Sequence, residues 1–143
     1  MKNIIFFVFI LLAVPAYADD VVMKLNGLTN SSEKTQAEYV FYTNGQKIAT
    51  EIYDVKQEKF LPATGTIPDG IVKLIEPKSD LRMEYTYKNN LPDGEANIYT
   101  KTGAKVTVQN WGNGVLLGWK NFNADGTIKE EYAVEGKKLE KIK

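Results

Sequence analysis

The chain holds no His and no Cys, which removes most routes to catalysis before any fold is considered. Imidazole bases, Ser-His-Asp triads, thiolate nucleophiles, disulfides and Cys-based zinc sites are all excluded. Carboxylates and hydroxyls remain. Glu130 and Glu131 are adjacent, and neighbours on a strand point to opposite faces, so they cannot share one substrate. Asp69 and Asp93 each stand before a glycine, which is turn chemistry. Ser31, Ser32 and Ser79 lie in expected loops with no base to activate them. The run Asn121-x-Asn123-x-Asp125-Gly126-x-Ile128 imitates the start of a calcium-binding loop. Tyr132 stands where the bidentate Glu belongs, and the flanks read as strands rather than helices. A hairpin turn accounts for all of it. The expectation is a protein that is not an enzyme, with no metal and no cofactor.

Binding is the chemistry these residues favour. Trp and Tyr anchor recognition surfaces because they bury large areas with little loss of entropy. The candidates are Trp111, Trp119, Tyr85, Tyr87 and Tyr99. Trp111 and Trp119 flank Gly112-Asn113-Gly114, so together they either offer an aromatic platform or close the end of a core. The formal net charge is zero, without the basic stripe that grips phosphate backbones, so no nucleic-acid partner is expected.

The elements that must position these rings repeat. Gly70, Gly94 and Gly118 are 24 residues apart, and the first two follow the same Pro-Asp pair. Asp80, Gly103 and Gly126 form a second column spaced by 23. Between the columns the sequence is strand-like: Met83, Tyr85 and Tyr87 share one face against Arg82, Glu84 and Thr86. Each unit is a strand, a turn and a strand, with Asn44-Gly45 and Asp125-Gly126 as hairpin signals. The fold class is therefore all-β, an antiparallel meander of repeated β-hairpins with a period of about 23–24 residues. The repeats are expected over about 66–89, 90–113 and 114–137, after a diverged hairpin over 37–55. Aligned on their glycines, Leu74, Ile98 and Phe122 fall in one core column, with Trp119 on the opposite face from Phe122. Lys56 to Thr66 reads as a loop, as does Asn26 to Lys34. Ile71 to Ile75 is apolar on both faces, which suggests a cover on each.

The stretch Tyr87 to Gly103, Tyr-Lys-Asn-Asn-Leu-Pro-Asp-Gly-Glu-Ala-Asn-Ile-Tyr-x-x-x-Gly, resembles the MORN-variant repeat of the YwqK-family antitoxins. The resemblance spans about Phe41 to Lys137. It implies a curved meander with one hairpin per repeat, and an antitoxin-like or immunity-like role.

The N-terminus reads as an export signal. Met1-Lys2-Asn3 precedes an apolar run from Ile4 to Val14, then Ala16-Tyr17-Ala18. That is a signal peptide over 1–18, cleaved after Ala18, leaving one domain over 19–143 in the periplasm or outside the cell. The functional expectation is an exported, non-catalytic protein that recognises a partner protein through the sheet and its loops. The alternative is an envelope ligand-binder docking on cell-wall glycan or lipid head groups.

Overall fold

The computed structural model describes residues 20–30, 35–135 and 138–142. The expected signal peptide lies outside them. The described chain is all-β: β1 (Val21–Asn30), β2 (Thr35–Thr43), β3 (Gln46–Asp54), β4 (Lys59–Phe60), β5 (Thr64–Gly65), β6 (Gly70–Leu74), β7 (Leu81–Lys88), β8 (Leu91–Thr100), β9 (Lys105–Gly112), β10 (Val115–Phe122), β11 (Ile128–Glu135) and β12 (Lys138–Lys141). The antiparallel meander of hairpins expected from the sequence is the architecture the chain adopts.

Turn chemistry sets the hairpins. Asn44-Gly45, Asn89-Asn90 and Asn113-Gly114 all have positive φ at both positions, the type I′ geometry whose twist matches flanking strands. The recurrent glycines do a different job. Tyr85 pairs with Ala96 and Tyr87 with Pro92, so Gly94 (φ 112°) sits in extra residues on β8. Leu116 pairs with Trp111 and Gly118 with Asn110, which places a bulge at Leu117-Gly118. Bulges bend a strand and increase its twist, and that is how a flat meander is made to curl.

The meander curls until it meets itself. β1 pairs with β6 in parallel through Val21–Val72 and Met23–Leu74. β10 pairs with β9 along its length and with β4 through Val115–Lys59. Phe60 N donates to Gly114 O at 2.7 Å, and Leu116 N donates to Glu58 O at 3.3 Å. Following bonded neighbours from β1 through β2, β3, β4, β10, β9, β8, β7 and β6 therefore returns to β1. β11 and β12 continue the ladder from the far half of β10, outside this ring.

Three local expectations give way here. Lys56 to Thr66 is not merely a loop: it contains β4 and β5, and β4 is the closing piece. The polar stretch from Asn26 to Asn30 belongs to β1, because its backbone pairs with β2 up to Thr35. Ile71 is 52% exposed and Ile75 46%, so no described residue covers the outer face of β6. The N-terminal strand joins β6 edge to edge instead.

Candidate functional site

Inside the ring lie two joined groups of side chains. In one, Phe41 and Tyr87 meet edge to face at 5.5 Å, with Met23 fully buried beside them. Tyr87 OH donates to Glu51 Oε2 at 2.6 Å, and Glu51 is only 1% exposed. Its Oε1 has no hydrogen-bond partner among the described residues. Burial raises the Glu51 carboxyl to about 8, with the Tyr87 hydrogen bond opposing the shift. Burial thus favours its neutral form, the one a dry interior tolerates. Tyr87 is held far above its usual range by burial and by this same acid.

The other group is an aromatic cluster built on Phe60. Its ring lies 4.9 Å from Tyr53, 5.3 Å from Trp111, 6.0 Å from Tyr39 and 6.4 Å from Tyr85. These five rings, with Gln109 and Leu116, line a cavity of about 110 Å³. Of its lining, Tyr39, Tyr53 and Gln109 are half-buried, while Phe60, Tyr85, Trp111 and Leu116 are buried. Trp111 Nε1 donates to Gln109 Oε1 at 3.2 Å. Burial, then the charge of Glu76, raises Tyr39. Tyr53 is pushed up to about 12 by burial first, then by Glu58, Tyr39 and Asp54.

One row of side chains leads out of this cavity. Register partners across the ladder run Tyr85, Ala96, Gln109, Trp119, Tyr132 and Lys141. Trp119 and Tyr132 stack at 4.9 Å with their planes 26° apart, and Lys141 Nζ sits 5.9 Å from the Tyr132 ring centre. The next row is polar. Thr107 Oγ1 donates to Asn121 Oδ1 at 2.9 Å, and Asn121 Nδ2 donates to Glu130 Oε1 at 2.8 Å. Tyr132 OH donates to Glu130 Oε2 at 3.1 Å. Hydrogen bonds from Asn121 and then Tyr132 hold Glu130 below the usual carboxylate range.

The five aromatic candidates are thus divided. Tyr85, Tyr87 and Trp111 are core residues, at 9%, 1% and 5% exposure. Trp111 and Trp119 do not form one platform: Trp111 faces Leu116 across the hairpin, while Trp119 faces Gln109 and stacks on Tyr132. Tyr99 lies on the outer face, with Arg82 at 4.8 Å and Lys105 at 5.8 Å from its ring centre. The core column of Leu74, Ile98 and Phe122 also breaks. Leu74 and Ile98 are buried, but Phe122 lines an outer groove with Glu95, Lys105, Lys120 and Ile128. The bulge at Leu117-Gly118 inserts one residue into β10, and one residue inverts the side-chain alternation. Trp119 turns inward for the same reason.

The turn that imitates a calcium loop is tied up in itself: Asp125 Oδ1 accepts from Thr127 N and Thr127 Oγ1. Asp69 reaches further than a turn residue, accepting from Asn89 N at 2.8 Å. Sequence reasoning missed Tyr39, Tyr53, Phe60, Gln109, Leu116 and Tyr132. Alternation of Tyr39 with Phe41, and of Ala49 and Glu51 with Tyr53, was available as a signal. Nothing local distinguished Phe60.

Comparison of the chain with protein-family models, with curated proteins and with solved structures returns no match.

Proposed function

We propose that this is an exported, non-catalytic binding protein that holds a partner protein on the sheet extension formed by β10, β11 and β12. The observation that carries the reading is the Trp119–Tyr132 stack, which joins the closing strand β10 to β11, the first strand beyond the ring. An aromatic pair rimmed by Asn121, Glu130 and Lys141 has the make-up of a recognition patch, with an apolar centre and a polar margin. β12 pairs only with β11 among the described strands, so its other edge offers backbone groups to an added strand. The resemblance of Tyr87–Gly103 to antitoxin-family repeats supports an immunity-like role.

The test is affinity capture from an envelope extract, using the mature chain and a Trp119→Ala/Tyr132→Ala control. The expected result is one protein at one-to-one stoichiometry, lost with the control. Equal recovery by both baits would remove the extension as the binding surface.

A second reading, an envelope ligand-binder that docks on cell-wall glycan or a lipid head group, is favoured by a separate observation. The half-open aromatic cavity lies among the inward side chains of the ring, and no residue of β11 or β12 is in its lining. Retention of the chain on purified cell wall or on vesicles, insensitive to salt, supports it.

A further inference from the structure

The aromatic cavity is small. Its volume of about 110 Å³ suits one compact group rather than a whole small molecule. Pockets for whole drug-sized ligands begin near ~300 Å³. The occupant is therefore one end of a molecule.

The lining says which end. Five of the seven lining residues are aromatic, and none is Lys or Arg. Negative charge lies near its half-buried tyrosines: Glu76 acts on Tyr39, and Glu58 and Asp54 act on Tyr53. Lys24 and Lys78 line a neighbouring groove that also takes in Glu76, not the cavity. Aromatic faces and nearby carboxylates both attract a cation. A primary ammonium, however, brings three N–H donors that must be satisfied when buried. The Gln109 carbonyl is already engaged by Trp111, so the other side-chain acceptors in the lining are three neutral tyrosine hydroxyls, and a buried ammonium would depend on them. An alkylated cation has no such donors.

We propose that Tyr39, Tyr53, Phe60, Tyr85 and Trp111 form a cage for a quaternary ammonium group of the trimethylammonium type. This rests on the ligand-binding reading above and is independent of the partner-protein one. The group has two sources, a free small molecule such as choline or the head group of a phosphatidylcholine lipid. Both present the same chemistry to the cavity.

Calorimetric titration of the wild-type chain with choline tests it, beside 3,3-dimethylbutan-1-ol, which has the same shape without the charge. A parallel fluorescence titration uses Trp119→Phe, which leaves Trp111 as the sole tryptophan of the chain's two. The expected result is saturable binding of choline that perturbs Trp111, with the neutral analogue weaker by about tenfold or more. Tyr53→Leu keeps the apolar bulk and removes one ring face, and should weaken choline by a similar factor with an unchanged far-ultraviolet spectrum. Co-sedimentation with phosphatidylcholine but not phosphatidylglycerol vesicles assigns the group to a lipid. Choline binding without vesicle binding assigns it to a free amine. Equal affinity for the neutral analogue, or no saturation by choline, overturns the cage. If cell-wall glycan still retains the chain in that case, the cage alone is lost. If nothing does, the ligand-binding reading falls with it.

Discussion

The closed ring and the β11–β12 extension are built from the same kind of hairpin, yet they use their aromatic residues in opposite ways. In the ring, Trp111 is buried among Tyr53, Phe60 and Tyr85 from three other strands. At the root of the extension, on β10, Trp119 is only partly buried: it packs against the margin of the core and stacks on Tyr132 from the adjacent strand. The difference lies in what stands across the sheet. Within the ring each inward row meets an opposite wall, so a ring there is enclosed by long-range neighbours. Beyond β10 the chief contacts of β11 and β12 are with their own ladder neighbours, so side chains there are supported from the side alone. The tryptophan within the ring is enclosed, and the one at the root of the extension is part-exposed.

Truncation of each tryptophan measures that contrast directly. Trp111→Ala should destabilise the fold by about 3–5 kcal/mol, the usual cost of emptying a large aromatic site in a core. Trp119→Ala should cost only about 1–2 kcal/mol, mostly the stack with Tyr132. Urea denaturation of both variants decides it, and equal losses would mean that the extension is packed as tightly as the ring.

The next effect belongs to the ring interior and depends on pH. Glu51 titrates near 8 when folded, against about 4.5 in an unfolded chain. Between those values the folded protein keeps a proton that the unfolded chain has released. Stability is therefore full below about pH 4.5, falls as pH rises towards 8, and levels off above it. A tenfold difference in proton affinity between the folded and unfolded chain is worth about 1.4 kcal/mol, so the total is on the order of a few kcal/mol. Glu51→Gln keeps a neutral hydrogen-bonding group and should flatten the fall between pH 5 and pH 8 in urea midpoints. An unchanged slope would place the titrating group elsewhere.

A smaller effect distinguishes the junction. A Cβ on Gly118 would collide with the backbone carbonyl of Tyr132 on β11. Gly118→Ala should therefore loosen the extension while leaving the ring intact. Limited proteolysis should cut after β10 faster than in the wild type, with stability to denaturant lowered by about 1–2 kcal/mol. Parallel loss of both regions would show that the extension props the ring closed.

Much of the fold was legible because its signals are local. Asn-Gly turns, strand alternation through Met83, Tyr85 and Tyr87, and the evenly spaced glycines each act over a few residues. The candidate site was legible only in residue type. Trp111 and Trp119 were visible as large aromatic anchors, but their separation into core and extension was not. That separation turns on one inserted residue at Leu117-Gly118, whose consequence is inversion of every side chain that follows on β10. Phe60 was hidden for another reason. It lies in a two-residue strand, too short for any periodicity, and its importance comes from neighbours on β2, β3, β7 and β9.

The sequence alone determined that the chain is all-β, that it is built of hairpins, and that imidazole and thiol chemistry are closed to it. These follow from composition and from interactions between near neighbours. Only the tertiary structure decided that the meander bends back until β10 reaches β4, that Glu51 is sealed inside it, and that five rings enclose a cavity. Those outcomes depend on bulge curvature accumulated over many strands and on contacts between residues far apart in the chain, which no local pattern records.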